Sequence, residues 1–229
     1  MPRVGRYQLV SKLAMGGMAE VFLAKAEGVA GFQKTVVVKR ILPNLAEIPE
    51  FITMFLNEAR VASQLNHPNV VQIFDLGEDQ DRYFIAMEFL EGRTLGHTFR
   101  AANAAGGLPV AMAARIMAEC AAGLDFAHNL VDSGGAPLNI IHRDVTPDNI
   151  FVTYQGQVKM LDFGIAKATE SASHTRPGTV RGKLAYMSPE QVLAKTLDRR
   201  TDIWALGVNL FGLLTGELPF RAESEQETM

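Results

Sequence analysis

Residues 142–149 read HRDVTPDN, and this stretch decides the fold of the chain together with LDFG at residues 161–164. Asn149 stands five residues after Asp144, and Asp162 stands 18 residues after Asp144. Asp-Phe-Gly on its own would be read as an ordinary turn. An aspartate, an asparagine and a second aspartate at these fixed spacings form a far more specific pattern than a short turn motif does.

Further motifs flank this stretch on both sides. GGMAEVF occupies residues 16–22, YMSPE occupies residues 186–190 and DIWALG occupies residues 202–207. The motifs run in order from about Leu9 to Phe220, which is nearly the whole chain. With this order and these spacings, the chain resembles the eukaryotic-type (bacterial Hanks-type) family of serine/threonine protein kinases.

The resemblance implies an α+β, bilobal, protein-kinase-like fold over residues 1–229. A small N-lobe, formed by an antiparallel sheet with one helix, would occupy about residues 1–90. A mainly helical C-lobe would occupy about residues 91–229, and we expect this C-terminally truncated domain to lack the last helices of the family.

The residue patterns also predict where individual elements lie. Runs rich in Val, Leu and Phe that are split by Gly clusters are typical of strands. Predicted strands occupy residues 7–14, 19–26, 35–40, 70–75, 83–89, 150–153 and 158–161. Apolar residues at helical spacing predict helices over residues 49–65, 109–129 and 204–214.

The amino-acid composition indicates which classes of binding partner are not expected for this chain. Lys and Arg number 22 against 25 Asp and Glu, and a net charge of −3 gives no reason to expect a nucleic-acid partner or an anionic membrane surface. The longest apolar run is too short for a membrane span, although a membrane anchor in a longer gene product stays open. The single cysteine, Cys120, favours a reducing compartment and hence a cytoplasmic location. We expect Cys120 to be a buried packing residue.

The resemblance gives roles to the residues of the deciding stretch. Asp144 would be the catalytic base, which accepts the proton of the acceptor hydroxyl and orients that hydroxyl toward the γ-phosphorus of ATP. Asn149 and Asp162 would hold Mg²⁺, with Mn²⁺ as the alternative ion, because hard cations prefer oxygen ligands. The resemblance also implies that His142 packs beneath Phe163. A metal role for His142 is opposed because no second histidine stands at metal-ligand spacing.

Lys39 is the predicted phosphate-binding lysine. Alternation along the strand places Lys39 on one face with Val37. The resemblance makes Lys39 the lysine on the α- and β-phosphates of ATP, with Glu58 of the predicted helix as its ion-pair partner. A surface lysine is the alternative interpretation.

The resemblance also implies an adenine pocket. Besides Lys39, its predicted nucleotide-binding residues are Leu13, Gly16, Gly17, Val21, Val37, Met87, Glu88, Leu90 and Phe151. Met87 would be the gatekeeper, and backbone groups of residues 88–90 would bind adenine. Ordinary core positions are the alternative for the apolar members. The glycine-rich loop is reduced to a Gly-Gly pair within residues 14–19, with alanines at both ends. The resemblance implies that this loop closes over the phosphates, and a plain hairpin turn is the alternative.

The segment from Ile165 to Tyr186 resembles the activation loop of the family. We expect autophosphorylation there, on Thr175 first and on Thr179 second. Arg143 would pair with the added phosphate and so order the loop. A polar, solvated loop is the alternative interpretation.

Three features depart from the family pattern. Thr146 stands where these kinases usually carry Lys, and Lys183 stands where they usually carry Thr. Both positions lie on the acceptor side, so Lys183 is a candidate replacement for the charge that is missing at Thr146. No counterpart of the family's arginine partner for Glu190 is evident after Phe220, and we expect Glu190 to lack this arginine.

Together these features predict ATP-dependent transfer of the γ-phosphoryl group to serine and threonine hydroxyls of protein substrates, including this protein itself. A pseudokinase, which would bind ATP as a scaffold without phosphotransfer, is the alternative that the departures favour. The presence of the predicted base and of both metal ligands opposes it. A small-molecule phosphotransferase is opposed by the Ser-Pro-Glu motif at residues 188–190 and the long loop before it. The sequence predicts no oligomeric state.

Overall fold

The structure is a computed structural model that describes residues 2–163 and 181–220. The chain divides into two compact units. The first unit comprises Met1–Asn66 and Val71–Leu90, and the second comprises His67–Val70 and Glu91–Met229. The division after Leu90 coincides with the predicted boundary, whereas the assignment of His67–Val70 to the second unit was not predicted.

The first unit is an antiparallel sheet with one α-helix among its described residues. The six strands are Arg3–Val4 (β1), Tyr7–Met15 (β2), Ala19–Glu27 (β3), Gln33–Ile41 (β4), Ile73–Asp79 (β5) and Arg82–Glu88 (β6). They pair in the order β1-β2-β3-β4-β6-β5. The helix Pro49–Ala62 (α1) follows β4, and short 3-10 turns lie at Val29–Gly31 and Pro43–Leu45.

Each face of this sheet carries its own apolar core. Val36 and Val38 of β4 are almost fully buried on one face, where they pack in a cluster with Tyr7. Phe55 of α1 packs on the opposite face in a cluster with Ile85. Each buried side chain of this size contributes about 1.5–3 kcal/mol, so the core around Phe55 fixes α1 on its face of the sheet.

The second unit is mainly helical. Among its described residues the helices are Leu95–Ala104 (α2), Val110–His128 (α3), Arg181–Leu184 (α4), Pro189–Val192 (α5) and Arg200–Thr215 (α6). A small antiparallel sheet is formed by Gly92–Thr94 (β7), Ile150–Thr153 (β8) and Val158–Met160 (β9). α3 packs against both α6 and β9. None of the described helices is long and apolar enough to cross a membrane.

The main corrections to the predicted elements concern their boundaries. α1 ends at Ala62, and β5 begins at Ile73 rather than at residue 70. Residues 67–70 are not part of the first sheet. Val70 pairs with Met160 of β9 instead, and the Met160 N–H donates to the Asn69 carbonyl at 2.8 Å. These backbone hydrogen bonds connect residues 67–70 to the second unit.

α6 begins at Arg200, four residues before the predicted start. The Asp198 carboxylate accepts the Arg200 N–H at 2.9 Å, which satisfies one of the unpaired donors at the helix start. α2 was not predicted, although Thr94 caps it by accepting the His97 N–H. The buried position that was expected for Cys120 is confirmed, because this residue is fully buried on the inner face of α3.

Candidate active site

The loop that carries Asp144 is held in place by the buried carboxylate of Asp202. Asp202, in the first turn of α6, accepts the backbone N–H of His142 through Oδ2 and that of Arg143 through Oδ1, both at 2.8 Å. His128 Nε2 lies 2.7 Å from the same Oδ2. Since Asp202 is completely buried, these partners replace the water that its carboxylate has lost.

This support holds the loop in an uncommon backbone conformation. Arg143 has φ +65°, a left-handed value that costs a non-glycine residue about 1–3 kcal/mol. His142 is fully buried, its ring centroid lies 4.5 Å from that of Phe163, and its Nε2 lies 2.9 Å from the Leu161 carbonyl. The expected packing of His142 against Phe163 is therefore present.

Asp144 and Asn149 are joined directly. Asn149 Nδ2 donates to Asp144 Oδ2 at 2.6 Å and to the Asp144 carbonyl at 2.9 Å. Asp144 is only 8% exposed, so the orientation of its carboxylate is largely set by protein groups. A carboxylate that is held in this way can accept a proton from a hydroxyl that approaches it.

A cation from a distant part of the chain completes this cluster. Lys183 Nζ lies 3.1 Å from Asp144 Oδ2, although the two residues are 39 positions apart. The Thr146 side chain is buried, and its Oγ1 has no hydrogen-bond partner among the described residues. The sequence raised Lys183 as a candidate replacement for a charge at position 146, and the structure places its ammonium beside Asp144.

The two predicted metal ligands are brought near each other by the backbone. The Leu161 N–H donates to the Asn149 carbonyl at 2.8 Å, which sets Asp162 one residue away from this bond. Asp162 is exposed and has φ +42°. Because the Asn149 amide group donates to Asp144, its Oδ1 is the atom suited to a cation.

The donor set fits Mg²⁺ bound together with phosphate oxygens. The described residues contain no group of three or more His, Cys, Asp or Glu side chains that could hold a metal. Mg²⁺ commonly binds through one or two carboxylates plus substrate phosphates rather than in an all-protein cage. Asn149 and Asp162 can therefore hold such an ion together with a nucleotide.

The first unit contains the expected lysine–glutamate pair. Lys39 Nζ on β4 lies 2.9 Å from Glu58 Oε1 on α1. The two side chains are 14% and 12% exposed, so this pair is screened by water much less than a surface pair is. The alternative of a surface lysine is excluded by this geometry.

Several predicted nucleotide-binding residues share one face of the sheet with Lys39. The register pairs Val21 with Lys39 and Val37 with Met87. Directly paired residues of antiparallel strands point to the same face, as do alternate residues of one strand. Lys39, Val37, Val21 and Met87 therefore form a patch on the face that α1 also covers.

The glycine pair lies in the turn of the β2–β3 hairpin. The Gly16 N–H donates to the Ala19 carbonyl at 2.8 Å, and a Cβ added at Gly17 would meet no atom within 4 Å. Ala19 is buried in the core with Phe55, so its methyl group points into the unit and not toward the open side of the loop. The local geometry is that of a hairpin turn, which the sequence analysis gave as the alternative interpretation of this segment.

The other predicted nucleotide residues are placed individually. Leu13 on β2 is half exposed, and Phe151 lies on β8 with a partly buried side chain. The Glu88 N–H donates to the Gln72 carbonyl at 2.9 Å. Leu90 is the last residue of the first unit and is partly buried.

Of the three predicted regulatory residues, only Arg143 belongs to the part of the chain that the structure describes. Thr175 and Thr179 lie outside the described residues. Arg143 is described, and its Nε is a buried donor without a hydrogen-bond partner in the ranges 2–163 and 181–220. A buried guanidinium donor of this kind is suited to an anion.

Glu190 has a hydroxyl partner that the sequence did not predict. The Thr201 hydroxyl donates to Glu190 Oε1 at 2.8 Å, and Ser188 Oγ lies 3.4 Å from Thr201 Oγ1. A hydroxyl donates one hydrogen bond to a carboxylate but adds no charge. Two further contacts were also missed, namely that of His128 with Asp202 of α6 and that of Gln191 with the Arg143 carbonyl. No sequence signal distinguishes His128 and Gln191 from ordinary helix residues.

Comparison with known proteins identifies the relatives of this fold and site. The family model for the protein kinase domain matches residues 7–229. Tyrosine-protein kinase MasK of Myxococcus xanthus is 50% identical over 222 residues, which cover 96% of this chain and 34% of that protein. Serine/threonine-protein kinase PrkC of Bacillus subtilis is 40% identical over 220 residues, which cover 96% of this chain and 32% of that protein.

Solved structures agree with these matches. The crystal structure of the Mycobacterium tuberculosis PknI kinase domain is similar with a TM-score of 0.71 and 28% identity, over 95% of this chain and 77% of that chain. The chain spans about a third of the length of the curated relatives it matches.

Proposed function

This chain belongs to the protein kinase domain family, and on that premise we propose that it transfers the γ-phosphoryl group of ATP to serine or threonine hydroxyls of proteins. The observation that carries the proposal is the Asp144 carboxylate, held at 2.6 Å by Asn149 and at 3.1 Å by Lys183. Relatives that are named serine/threonine-protein kinases, such as PrkC, support the same acceptor class.

In the proposed reaction Asp144 acts as the general base. It accepts the proton of the acceptor hydroxyl while the hydroxyl oxygen bonds to the γ-phosphorus. The bond between the γ-phosphorus and the bridging oxygen breaks, and ADP leaves with that electron pair. Asn149 fixes the carboxylate that receives the proton, so its amide contributes orientation as well as a metal-ligating oxygen.

The remaining predicted residues would hold the nucleotide. Lys39, kept in place by Glu58, would contact the α- and β-phosphates. Asn149 and Asp162 would hold Mg²⁺, or Mn²⁺ in its place, and the ion would supply positive charge against the phosphate oxygens. The adenine ring would contact the apolar and backbone groups of Leu13, Val21, Val37, Met87, Glu88, Leu90 and Phe151. The loop that carries Gly16 and Gly17 would close over the phosphates.

The proposal also covers the regulation of the protein by autophosphorylation and its location in the cell. We infer that the protein phosphorylates itself on Thr175 first and Thr179 second, with the buried Nε of Arg143 as the support for an anion partner. A cytoplasmic location is supported by the lone, buried Cys120.

Phosphate transfer from labelled ATP tests the proposal directly. This chain is incubated with Mg²⁺, a generic basic protein as acceptor and labelled ATP, beside its Asp144→Asn variant. We expect label in the parent and none in the variant. Mg²⁺-dependent ATP binding in both proteins without label in either would instead favour the pseudokinase.

Tyrosine is the second candidate acceptor. The relative that is 50% identical over almost the whole chain is named a tyrosine-protein kinase, and the departures at Thr146 and Lys183 lie on the acceptor side. Peptide mass spectrometry of the labelled acceptor separates the two candidates. Phosphotyrosine in place of phosphoserine and phosphothreonine would overturn the serine/threonine assignment while leaving phosphotransfer intact.

A further inference from the structure

We propose that Lys183 is the acceptor-side cation of this active site. It holds the Asp144 carboxylate in position for the acceptor hydroxyl, and it stabilises the negative charge of the phosphoryl group during transfer. This inference rests on the function proposed above and assigns to that function a residue outside the loop at residues 142–149.

The position of the ammonium supports this role. Lys183 Nζ and Asn149 Nδ2 both contact Asp144 Oδ2, at 3.1 and 2.6 Å. Two donors on one oxygen fix the carboxylate in rotation as well as in position. The Lys183 side chain is 34% exposed while Asp144 is 8% exposed, so solvent reaches the ammonium more easily than it reaches the base.

The loop around Asp144 does not supply an equivalent charge. Thr146, two residues after the base, is 4% exposed and carries a neutral hydroxyl whose oxygen is buried without a partner among the described residues. A buried hydroxyl cannot neutralise a phosphoryl oxygen. Lys183, which belongs to another segment, is placed to provide a cation at Asp144 Oδ2.

The segment that carries Lys183 is tied to the same loop at a second point. Gln191 Nε2 donates to the Arg143 carbonyl at 2.9 Å. Between the two tie points, Leu184 and Ala185 are buried, and the Tyr186 N–H donates to the Lys183 carbonyl at 3.0 Å. The backbone beneath Lys183 is thus held by packing and hydrogen bonds, which is what a positioning residue requires.

The charge balance of the reaction explains how one lysine serves both tasks. Before transfer, the Asp144 carboxylate is negative and attracts the ammonium. When the acceptor proton moves to Asp144, that charge is neutralised, and the negative charge nearest the ammonium is then on the phosphoryl group that bonds to the acceptor oxygen. Electrostatic stabilisation that is strongest in the transition state accelerates the reaction.

The test compares Lys183→Met, Lys183→Arg and Lys195→Met in the full chain. Methionine removes the charge at similar length, arginine keeps it, and Lys195 is an exposed lysine of the same unit that serves as the matched control. We expect Lys183→Met to lower kcat by about 10²-fold, with the KM for ATP and the thermal midpoint nearly unchanged. Lys183→Arg should recover most of the lost rate, and Lys195→Met should behave as the parent.

Two results would overturn the proposal. One is a Lys183→Met variant that keeps at least half of the parent kcat, and the other is a Lys183→Arg variant as slow as Lys183→Met. If the second result is accompanied by an equal loss of folded protein, it would assign Lys183 a structural role.

A second measurement separates this inference from the proposed function. The rate at which sulfo-NHS acetate modifies Lys183 is followed by mass spectrometry in the parent and in Asp144→Asn, with Lys195 as the internal reference. We expect Lys183 to react several-fold faster in the variant, because its ion-pair partner is gone. Equal rates would exclude the ion pair whether or not the parent transfers phosphate, whereas an inactive parent with the expected rate difference would refute the proposed function alone.

Discussion

Asp202 Oδ1 accepts the backbone N–H of Arg143 at 2.8 Å, and this single bond joins the first turn of α6 to the residue before the candidate base. Arg143 has a left-handed φ of +65°. A strained residue keeps such a conformation only when its surroundings hold it there. The buried carboxylate therefore holds Arg143, and with it the backbone that leads into Asp144, in this conformation.

Asp202→Asn should destabilise the protein and slow phosphotransfer. The new amide places an N–H₂ group against one of the two backbone donors, and an unsatisfied buried donor costs about 1–3 kcal/mol. Urea denaturation should show a lower free energy of unfolding, and the labelled-ATP assay should show a lower rate. Asp125→Asn, at an exposed position of α3, is the matched control. An Asp202→Asn variant as stable as the control would show that Asp202 does not hold the loop.

Lys39 and Glu58 should act as one unit. Lys39→Met removes the predicted phosphate contact, and losing one such electrostatic group lowers kcat by about 10²–10³-fold. Glu58→Gln should also be slow, since the lysine loses the charge that orients it across 2.9 Å. Because both changes disable the same contact, the double variant should be at most about tenfold slower than Lys39→Met alone.

The control for this pair is Lys25→Met, which removes an exposed lysine from the neighbouring strand β3. It should leave the rate of phosphate transfer unchanged. Fully multiplicative losses in the double variant would mean that the two residues act independently, against the inference from their ion pair.

Thr201→Val should lower stability through Glu190. The Thr201 hydroxyl donates to Glu190 Oε1 at 2.8 Å, and Thr201 itself is 1% exposed. Valine has a similar shape but no donor, so the cost is that of one lost hydrogen bond to a charged group, about 1.5–3 kcal/mol. Thermal unfolding measures the difference, with the exposed Thr196→Val as the control. Equal midpoints for the two variants would contradict the role of this hydroxyl.

The sequence predicted the long elements well, because their apolar residues repeat over several periods. The strand β8 was predicted with its observed bounds, and α3 to within one residue at each end. The short strands β1 and β7 contain two and three residues, too few to show a period, and they were missed.

For the candidate site, the sequence identified several of the residues that take part, but not which of them lie close together. The sequence identified Lys39 and Glu58 as a pair because their spacing matches a known pattern. It could name Lys183 as a candidate cation but could not place it beside Asp144, since 39 residues of chain separate them. The partners of Asp202 and Glu190 were not predictable for a related reason. His128 and Thr201 meet these carboxylates only through tertiary packing.

The buried thiol of Cys120 should resist alkylation until the protein unfolds. Burial raises the pKa of Cys120 to about 12, and the nearby charge of Glu119 acts in the same direction. At pH 8 only about one thiol in ten thousand would then be ionised, against about a quarter for an ordinary thiol with a pKa near 8.5. Because Cys120 is the single cysteine of the chain, iodoacetamide should add no mass to the native protein and one label in urea. Labelling of the native protein at the rate found in urea would contradict the burial.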